Sequence, residues 1–425
     1  MQPASNLARP LVDKYARRLD VLVVDAGGFS IKYDYALCQA LAKADCNVTL
    51  VSSEYRHARW HAPTSFEVSK HFYRRAHGDG VEAGGLRWKV AKAVEHAGDM
   101  SRLADEIERR RPDIVHFQWL TLPVVDTLHL GRMAAVSPLI LTVHNTTIFH
   151  GTPSSRAQAL GFRSALKSFS AFIAHAEYSK ERIVNQGWAR AEQVTIIPHG
   201  AFEQEGPYPI RQPENAEKEV LFLGSIRPYK APDLLIRAFA KLPQELRQST
   251  RLKIAGKPGM DLKPLFKLAE ELGVKDRISW IPRYLSEQEA ADMYRAATIV
   301  ALPFREIDQS GALLNAIGWG KPLVATAIGA VPETVQDGVT GLLVPPGDVD
   351  GFSSALRRLL ISPDLRATMQ AQLVALANGK LSWENVAART QQLYSTLARQ
   401  TSPRAPGQCL AALGPFNSQA NISKK

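Results

Sequence analysis

The sequence predicts an α/β fold of two Rossmann-like domains, each built on a parallel sheet. Short apolar runs typical of buried strands alternate along the chain with stretches of helical period. The length of 425 residues is more than one domain usually holds. Segment 203–218 is rich in proline and polar residues, as linkers are. We therefore expect an N-terminal domain at 1–202 and a C-terminal domain at 219–380.

The composition is that of a soluble globular protein, with 45% hydrophobic and 22% charged residues. Cys38, Cys46 and Cys409 show neither a paired framework nor a C-x-x-C motif, which indicates a reducing compartment. No apolar run reaches the roughly 18 residues that a spanning helix needs. Residues 1–20 lack the apolar core of a signal peptide. The sequence therefore predicts a cytoplasmic protein.

The chain is strongly basic, with a formal net charge of +11 and a pI near 9.5. No helix-turn-helix, zinc-finger or RNP-like pattern accompanies this charge, so a nucleic-acid partner is not expected. Segment 56–96 interleaves arginines and lysines with aromatic and apolar residues, which is typical of a segment at a membrane surface. A solvated basic flank of an active site has the same composition, and both interpretations remain open.

The first domain opens with an apolar strand at 20–25, and its first turn contains Gly27 and Gly28. A helix through residue 44 follows. The turn lacks the G-x-G-x-x-G spacing of a dinucleotide site, so the two glycines either approach another ligand or form a tight strand-to-helix turn. Further predicted elements are a helix at 100–110 and strands at 47–52, 113–117, 139–145, 171–175 and 194–200.

A histidine, His144, lies at the end of the predicted strand 139–145. The carboxyl ends of parallel strands border the ligand cleft, where a neutral imidazole can hydrogen-bond a hydroxyl or a leaving-group oxygen. His116 and His150 are weaker candidates, because histidines near strand ends are as often structural as chemical.

The second domain begins with a strand at 219–224 and a basic loop that contains Arg227 and Lys230. A guanidinium and an ammonium at the carboxyl end of a strand are the groups needed to hold a diphosphate and to stabilise charge that builds on it. The alternative is a solvated surface pair. The next strand, 252–256, ends at Gly256, which we expect to border a nucleotide.

One stretch of the second domain combines a strand at 298–302, a polar loop, a helix at 312–319 and a second strand at 323–326. A helix N-terminus after a parallel strand presents unpaired backbone N–H groups suited to a phosphate. Ser310 and Gly311 are therefore candidate phosphate-facing residues. The alternative is that Ser310 is an ordinary N-cap.

The run PFREIDQSGALLNAIGWGKPLVATAIGAVPE (303–333), followed by DGVTGLLVPPGD (337–348), resembles the donor-binding half of the retaining GT-B glycosyltransferases of family 4. The resemblance covers roughly residues 20–400 and implies two domains that face each other across a cleft. Gly27 and Gly28 match the family's loop against the donor diphosphate. The resemblance further implies a hexosyltransferase that uses a nucleotide diphosphate sugar as co-substrate, with retention and with neither a cofactor nor a required metal.

The resemblance also assigns the catalytic residues. His144 stands where the family has a cleft histidine, and Lys230 fits the family's lysine. Ser225 occupies the place of the family's arginine, and Arg227 lies two residues further on. We expect Lys230, Arg227 and His144 to be catalytic, with the cations neutralising the leaving diphosphate. The leaving phosphate oxygen can then take the acceptor's proton, so no dedicated base is expected.

The family's pair of glutamates, separated by seven residues, is altered. Ile307 occupies the position of the first glutamate and Asn315 that of the second. The Asn315 amide can still hydrogen-bond a ribose hydroxyl. Substitutes for the first glutamate lie in the same loop: the side chain of Glu306 or Asp308, or the backbone N–H groups of Gln309, Ser310 and Gly311.

By resemblance, the acceptor is a glycan or a lipid-linked saccharide in bacterial exopolysaccharide assembly, and segment 56–96 contacts the inner membrane. A helix at 383–400 is expected to pack back on the first domain, and 401–425 is expected to be a disordered tail. Two other functions remain open. The altered acidic pair is compatible with a silent nucleotide-binding partner of another transferase, and the same fold serves sugar-nucleotide epimerases.

Overall fold

The computed structural model describes residues 17–54, 63, 65–75, 85–147, 160–202 and 217–401. Within these ranges the strands form two parallel sheets, of seven and six strands. The first sheet has the order β3-β2-β1-β4-β5-β6-β7. Its strands are β1 (Leu19–Asp25), β2 (Cys46–Ser53), β3 (Glu67–Phe72), β4 (Ile114–Phe117), β5 (Leu139–Thr142), β6 (Ala171–Ala174) and β7 (Val194–Ile196).

Helices cover both faces of the first sheet. They are α1 (Ile31–Lys43), α2 (Gly85–Arg110), α3 (Pro123–Ala134), α4 (Phe162–Leu166) and α5 (Glu177–Asn185). Leu22 and Val24 of β1 pack into one apolar core, whereas Val21 and Val23 pack into a second core that contains α1. Successive side chains of a strand point to opposite faces, so a continuous apolar run fills two cores at once.

The second sheet has the order β10-β9-β8-β11-β12-β13. Its strands are β8 (Lys218–Leu223), β9 (Thr250–Ala255), β10 (Ile278–Ile281), β11 (Ile299–Leu302), β12 (Leu323–Thr326) and β13 (Leu342–Val344). The accompanying helices are α6 (Pro232–Ala240), α7 (Gln244–Gln248), α8 (Lys263–Glu271), α9 (Glu287–Ala296), α10 (Gly311–Gly318), α11 (Val331–Thr334), α12 (Val349–Ile361), α13 (Pro363–Asn378) and α14 (Trp383–Thr401).

The strand order reverses direction between β1 and β4 in the first sheet and between β8 and β11 in the second. At such a switch point the loops at the carboxyl ends of the strands diverge and leave a crevice in which ligands bind. The crevices are therefore lined by the loops after β1 and β4 in one sheet, and by those after β8 and β11 in the other.

The final helix, α14, packs on the first sheet's side of the molecule. Trp383 and Tyr394 are buried in the core that also holds α1. The Tyr394 hydroxyl lies 2.6 Å from Nδ1 of His116, and Nε2 of Gln391 donates to the carbonyl oxygen of Ala44 at 2.5 Å.

Two elements of the first sheet differ from the prediction. Helix α2 begins at Gly85, whereas the predicted helix began at residue 100. The prediction missed the first turns because they are exposed and carry Arg87 and Lys89 in place of an apolar stripe. Strand β5 ends at Thr142, so that His144 follows the strand and does not form its last residue.

Several predictions concern residues outside the described ranges: 203–216 of the linker, 402–425 of the tail, Arg56 and Arg59 of the basic segment, and His150. Among the helices that the structure does describe, none is both long and apolar enough to cross a bilayer.

Candidate active site

The loop after β8 brings two cations together. Lys230 ends a short 3₁₀ turn, Pro228–Lys230, and Arg227 directly precedes that turn. Burial of the ammonium, and then the nearby charge of Arg227, lower the pKa of Lys230 to about 8. The ion pairs and hydrogen bonds of the described chain include neither side chain, so both cations are available to an anion.

Two glycines allow the strand ends beside these cations to approach closely. Gly224 and Gly256 both have a φ of +135°, which side-chain-bearing residues rarely adopt. A Cβ on Gly256 would lie 2.0 Å from the carbonyl oxygen of Gly224, and one on Gly224 would lie 2.9 Å from Nζ of Lys230. Ser225 is half-buried in the same loop. The predicted residues Gly256, Ser225, Arg227 and Lys230 thus line one edge of the second sheet.

The loop after β11 leads into α10 as predicted, and Ser310 is its N-cap. The Ser310 hydroxyl is buried and accepts a hydrogen bond from the backbone N–H of Leu313 at 3.2 Å. The hydroxyl keeps its own proton as a donor, so the O–H and the backbone N–H of Ser310 are both left for a partner. Nδ2 of Asn315 donates to the carbonyl oxygen of Gly311 at 2.8 Å, which leaves Oδ1 as the free acceptor of that amide.

The acidic residues of this loop face the first domain. Oδ2 of Asp308 accepts from the backbone N–H of Thr146 at 2.5 Å and from the Thr146 hydroxyl at 2.8 Å. Glu306 is exposed. A hydrogen bond with Tyr178, and the charges of Asp308 and Glu306, raise the pKa of Arg182 on α5. Asp308 therefore spans the cleft, and Glu306 is the carboxylate of the loop that remains open.

A second carboxylate crosses between the domains. Glu333, on α11, accepts hydrogen bonds from the backbone N–H groups of Glu177 and Tyr178 at 2.7 and 2.8 Å. These N–H groups form the N-terminus of α5, where a negative charge is favoured. Gln309 and Glu333 line a small cavity of about 70 Å³ together with His175 and other residues of both domains.

On the first sheet, four histidines gather at the ends of β4, β5, β6 and β7. They are His116, His144, His175 and His199. Burial is the largest cause that lowers the pKa of each, to about 3 for His116 and His199, to about 4 for His175, and well below the usual value for His144. All four are therefore uncharged at neutral pH, and they can donate or accept hydrogen bonds without adding charge to the cleft.

His144 is held by neighbours on three sides. Its Nε2 lies 3.0 Å from Oε1 of Gln118, and its Nδ1 lies 3.4 Å from Nε2 of His175. Its ring stacks on Trp119 with centroids 5.1 Å apart, and Tyr33 meets it edge-on at 4.9 Å. The imidazole is thus fixed in place at the cleft, and both of its ring nitrogens already have protein partners.

The turn after β1 contains Gly27 and Gly28 and covers a pair of buried acids. Gly28 has a φ of +62°, and its N–H donates to the carbonyl oxygen of Asp25 at 3.2 Å. Asp25 and Asp34 are both fully buried. No N–H or O–H donor of the described chain reaches either carboxylate oxygen of Asp34. Burial, and then the charge of Asp25, raise the pKa of Asp34, so it keeps its proton and donates it to Asp25.

Comparison with known proteins identifies the family. Residues 32–202 match the model of Glycosyltransferase Family 4, and residues 209–372 match that of Glycosyl transferases group 1. A D-inositol 3-phosphate glycosyltransferase of Kribbella flavida is 30% identical over 305 residues, which are 67% of this chain and 71% of that protein. The chain belongs to the family 4, group 1 glycosyltransferases. Enzymes of this group take a nucleotide sugar as substrate.

Solved structures show the same fold for this glycosyltransferase. Sucrose-phosphate synthase from Thermosynechococcus elongatus superposes with a TM-score of 0.67 at 17% identity, over 90% of this chain and 100% of that one. The Anabaena protein HepE, solved in complex with UDP and glucose, gives 0.64 at 17% identity, over 89% and 100%. The predicted GT-B architecture is confirmed.

Sequence analysis missed several residues that surround the site of the glycosyltransferase. Trp119 lies two residues after the end of β4, and its place near a strand end was a usable signal. Thr146 and Arg182 carry no such signal, because Thr146 hydrogen-bonds Asp308 of the other domain and Arg182 senses the charges of Asp308 and Glu306 there. In the described ranges, His, Cys, Asp and Glu side chains form no group of three or more suited to a metal ion.

Proposed function

We propose that this glycosyltransferase moves a hexose from a nucleotide diphosphate sugar to a glycan or lipid-linked saccharide, with retention of the anomeric configuration, in bacterial exopolysaccharide synthesis. The observation that carries the proposal is the unpaired cations Arg227 and Lys230 beside the closely approaching glycines of β8 and β9. Anions held by a guanidinium and an ammonium gain strong charge-assisted hydrogen bonds. The donor diphosphate supplies that anion.

Donor binding follows from the groups that remain open around the cations. Oδ1 of Asn315 accepts a hydrogen bond from a ribose hydroxyl, because Nδ2 of the same amide already donates to the carbonyl oxygen of Gly311. The backbone N–H groups of Gln309 to Gly311, at the N-terminus of α10, face the phosphates and the sugar. Glu306, which is exposed, takes the place of the missing first glutamate.

In the transfer step, the bond between the anomeric carbon and the diphosphate oxygen breaks, and negative charge accumulates on the diphosphate. Arg227 and Lys230 stabilise that charge as it develops. The acceptor hydroxyl forms the new bond on the same face of the sugar, and its proton passes to the departing phosphate oxygen. His144 is uncharged, and its ring nitrogens contact Gln118 and His175, so its fixed ring shapes the site around the reacting groups without adding charge.

The proposed saccharide acceptor differs from the acceptor that the names of the relatives give. The Kribbella flavida protein, and one of Streptomyces bingchenggensis that is 30% identical over 313 residues, are both D-inositol 3-phosphate glycosyltransferases. An inositol phosphate is therefore the rival acceptor class for this chain, and it belongs in the same assay as saccharides.

A test incubates the purified protein with a panel of nucleotide sugars, with and without membrane extract, and follows nucleotide diphosphate release and labelled lipid. Release and transfer that depend on extract support the proposal. Release of free sugar without an acceptor favours the epimerase reading, and transfer to inositol phosphate would redirect the acceptor assignment.

A silent nucleotide-binding partner is the second candidate function. It is favoured by Ile307 in the place of an acid and by the engagement of Asp308 with Thr146. Binding of a nucleotide diphosphate without turnover of any donor, in the presence of extract, would support this candidate and contradict the first.

We further propose that the enzyme works at the cytoplasmic face of the inner membrane and contacts it through the start of α2. Arg87 is exposed there on the same helix face as Val90 and Val94, whose exposed fractions are 55% and 69%. Basic and apolar groups on one surface suit an anionic bilayer. Arg87→Glu should reduce sedimentation with anionic vesicles, and equal sedimentation of the variant would refute this contact.

A further inference from the structure

Three rings form an aromatic ledge above the turn after β1, and the mechanism above uses only one of them. Phe29 is 60% exposed, although it is large and apolar. Its ring meets Trp119 edge-on, with centroids 5.9 Å apart and an interplanar angle of 76°. Trp119 in turn stacks on His144 at 5.1 Å and 18°. Contiguous apolar surface with polar residues at its rim is typical of ligand-binding grooves.

The ledge is fixed by its surroundings. A Cβ on Gly27 would lie 2.3 Å from Cε2 of Phe29, so the absence of a side chain at Gly27 gives the Phe29 ring its place. The indole N–H of Trp119 donates to the hydroxyl of Ser30. The backbone N–H of Ser30 donates to Oδ2 of Asp25 at 2.9 Å. The exposed Phe29 ring and the half-buried Trp119 ring are therefore tied to the same turn.

The ledge borders a cavity of about 230 Å³ between the two domains. Phe29, Tyr33 and His144 line it from the first domain, Phe202 from the segment after β7, and Glu287 from the second domain. Pockets for drug-sized ligands usually span about 300–1,000 Å³. The cavity is therefore suited to a single sugar ring and is too small for a whole nucleotide diphosphate sugar.

The charges around the cavity cancel. Lys32 forms an ion pair with Glu287 across the two domains. Burial lowers the pKa of both lining histidines, His144 and His199, and keeps them neutral. Among the described lining residues, no cation is left over for a phosphate group. The paired ammonium and carboxylate can still exchange hydrogen bonds with hydroxyl groups.

We propose that this cavity is the acceptor subsite and that it takes a neutral hexopyranose residue. The apolar face of the sugar ring stacks on Phe29, which Trp119 supports edge-on, and its hydroxyl groups contact Lys32 and Glu287. The assignment rests on the proposed transfer reaction and deepens it by naming the chemical class of the acceptor. It excludes a phosphorylated polyol as the preferred acceptor.

The test uses methyl α-D-hexopyranosides of glucose, galactose and mannose as acceptor probes, with inositol 3-phosphate as the rival. A pyranoside should stimulate transfer from the active donor. Phe29→Ala should raise the acceptor KM about 3- to 10-fold, the loss expected for one aromatic contact. Phe29→Tyr should restore the wild-type KM. Unchanged KM in Phe29→Ala, or stimulation by inositol 3-phosphate alone, would overturn the proposal.

The second domain offers a matched control. Phe266 is 41% exposed, and its ring meets Trp280 edge-on at 4.8 Å and 83°. Phe266→Ala removes an equivalent aromatic contact far from the ledge and should leave the acceptor KM unchanged.

A binding measurement separates this proposal from the transfer reaction itself. Saturation-transfer NMR should detect methyl hexopyranoside on the wild-type protein, and the signal should fall in Phe29→Ala but not in Phe266→Ala. Pyranoside binding without turnover of any donor would refute the proposed function and keep the subsite. Turnover of a donor with no pyranoside bound at the ledge would refute the subsite and keep the function.

Discussion

Replacing Lys230 by methionine removes the ammonium that we propose to face the donor diphosphate, and it keeps most of the apolar stem. Lys230 has no protein partner in the described chain, so the substitution breaks no ion pair and should not unfold the protein. Loss of one preorganised contact to developing negative charge typically lowers kcat by about 100- to 1,000-fold. Because Arg227 remains, we expect a fall at the lower end of that range.

The pH profile gives the same prediction an independent check. The pKa of Lys230 in the free enzyme is about 8, because burial and Arg227 disfavour the charged form. Above that pH the side chain loses the proton that binds phosphate. At one pH unit above the pKa about a tenth of the lysine stays charged, so kcat/KM should fall about 10-fold from its plateau by pH 9. In Lys230→Arg this fall of kcat/KM on the basic limb of the pH profile should disappear, because arginine stays protonated.

The assay is continuous detection of nucleotide diphosphate release between pH 6 and 10, with circular dichroism of each variant as a check on folding. Lys257 is a suitable control, because it is an exposed lysine that follows the next strand end at Gly256. Lys257→Met should behave as the wild type does. Wild-type kcat in Lys230→Met, or a basic limb that persists in Lys230→Arg, would refute the role of Lys230.

Four further substitutions, one of them a control, test the scaffold. Lys321→Met should destabilise the protein by about 1–3 kcal/mol in denaturant unfolding, because the buried ammonium donates to two carbonyls at the end of α9 at 2.9 and 3.0 Å; an unchanged midpoint would contradict this. Gly256→Ala should lower the free energy of unfolding by about 1–3 kcal/mol, since its Cβ would meet Gly224. Gly187 has a φ of +66° and open space around it, so Gly187→Ala should lower that free energy by about 1 kcal/mol. Asp34 has a raised pKa, so the folded state binds more protons than the unfolded state and the free energy of unfolding falls as pH rises above 3.8. In Asp34→Asn this free energy should fall less steeply between pH 5 and 8. The same slope as in the wild type would count against the shared proton.

The sequence predicted the central strands well because their burial is continuous. Strands such as β1 and β12 are fully covered on both faces, and that condition produces an unbroken apolar run. β3 (Glu67–Phe72) is a half-exposed edge strand, and its sequence EVSKHF carries no such run. The first turns of α2 were missed for the same reason. They are exposed and need no apolar face, and an apolar face is the pattern that predicts a helix.

Within the candidate site, the sequence indicated which residues follow strands, and it did not indicate the contacts between domains. Arg227, Lys230, Gly256 and His144 each follow a parallel strand, a position that a sequence displays. The engagement of Asp308 by Thr146 joins residues 162 positions apart, and nothing in either segment indicates it. The hydroxyl of Ser310 caps the N-terminus of α10, which is the alternative that the local sequence favours.

The most direct test of the account is the anomeric configuration of the product of a single donor. Purified protein would be incubated with the donor that the panel selects and with its acceptor, and the anomeric proton of the product would be followed by NMR from the first turnovers. The account predicts the configuration of the donor in the product. An inverted product would contradict same-face transfer assisted by Arg227 and Lys230, and would require a general base that the mechanism does without.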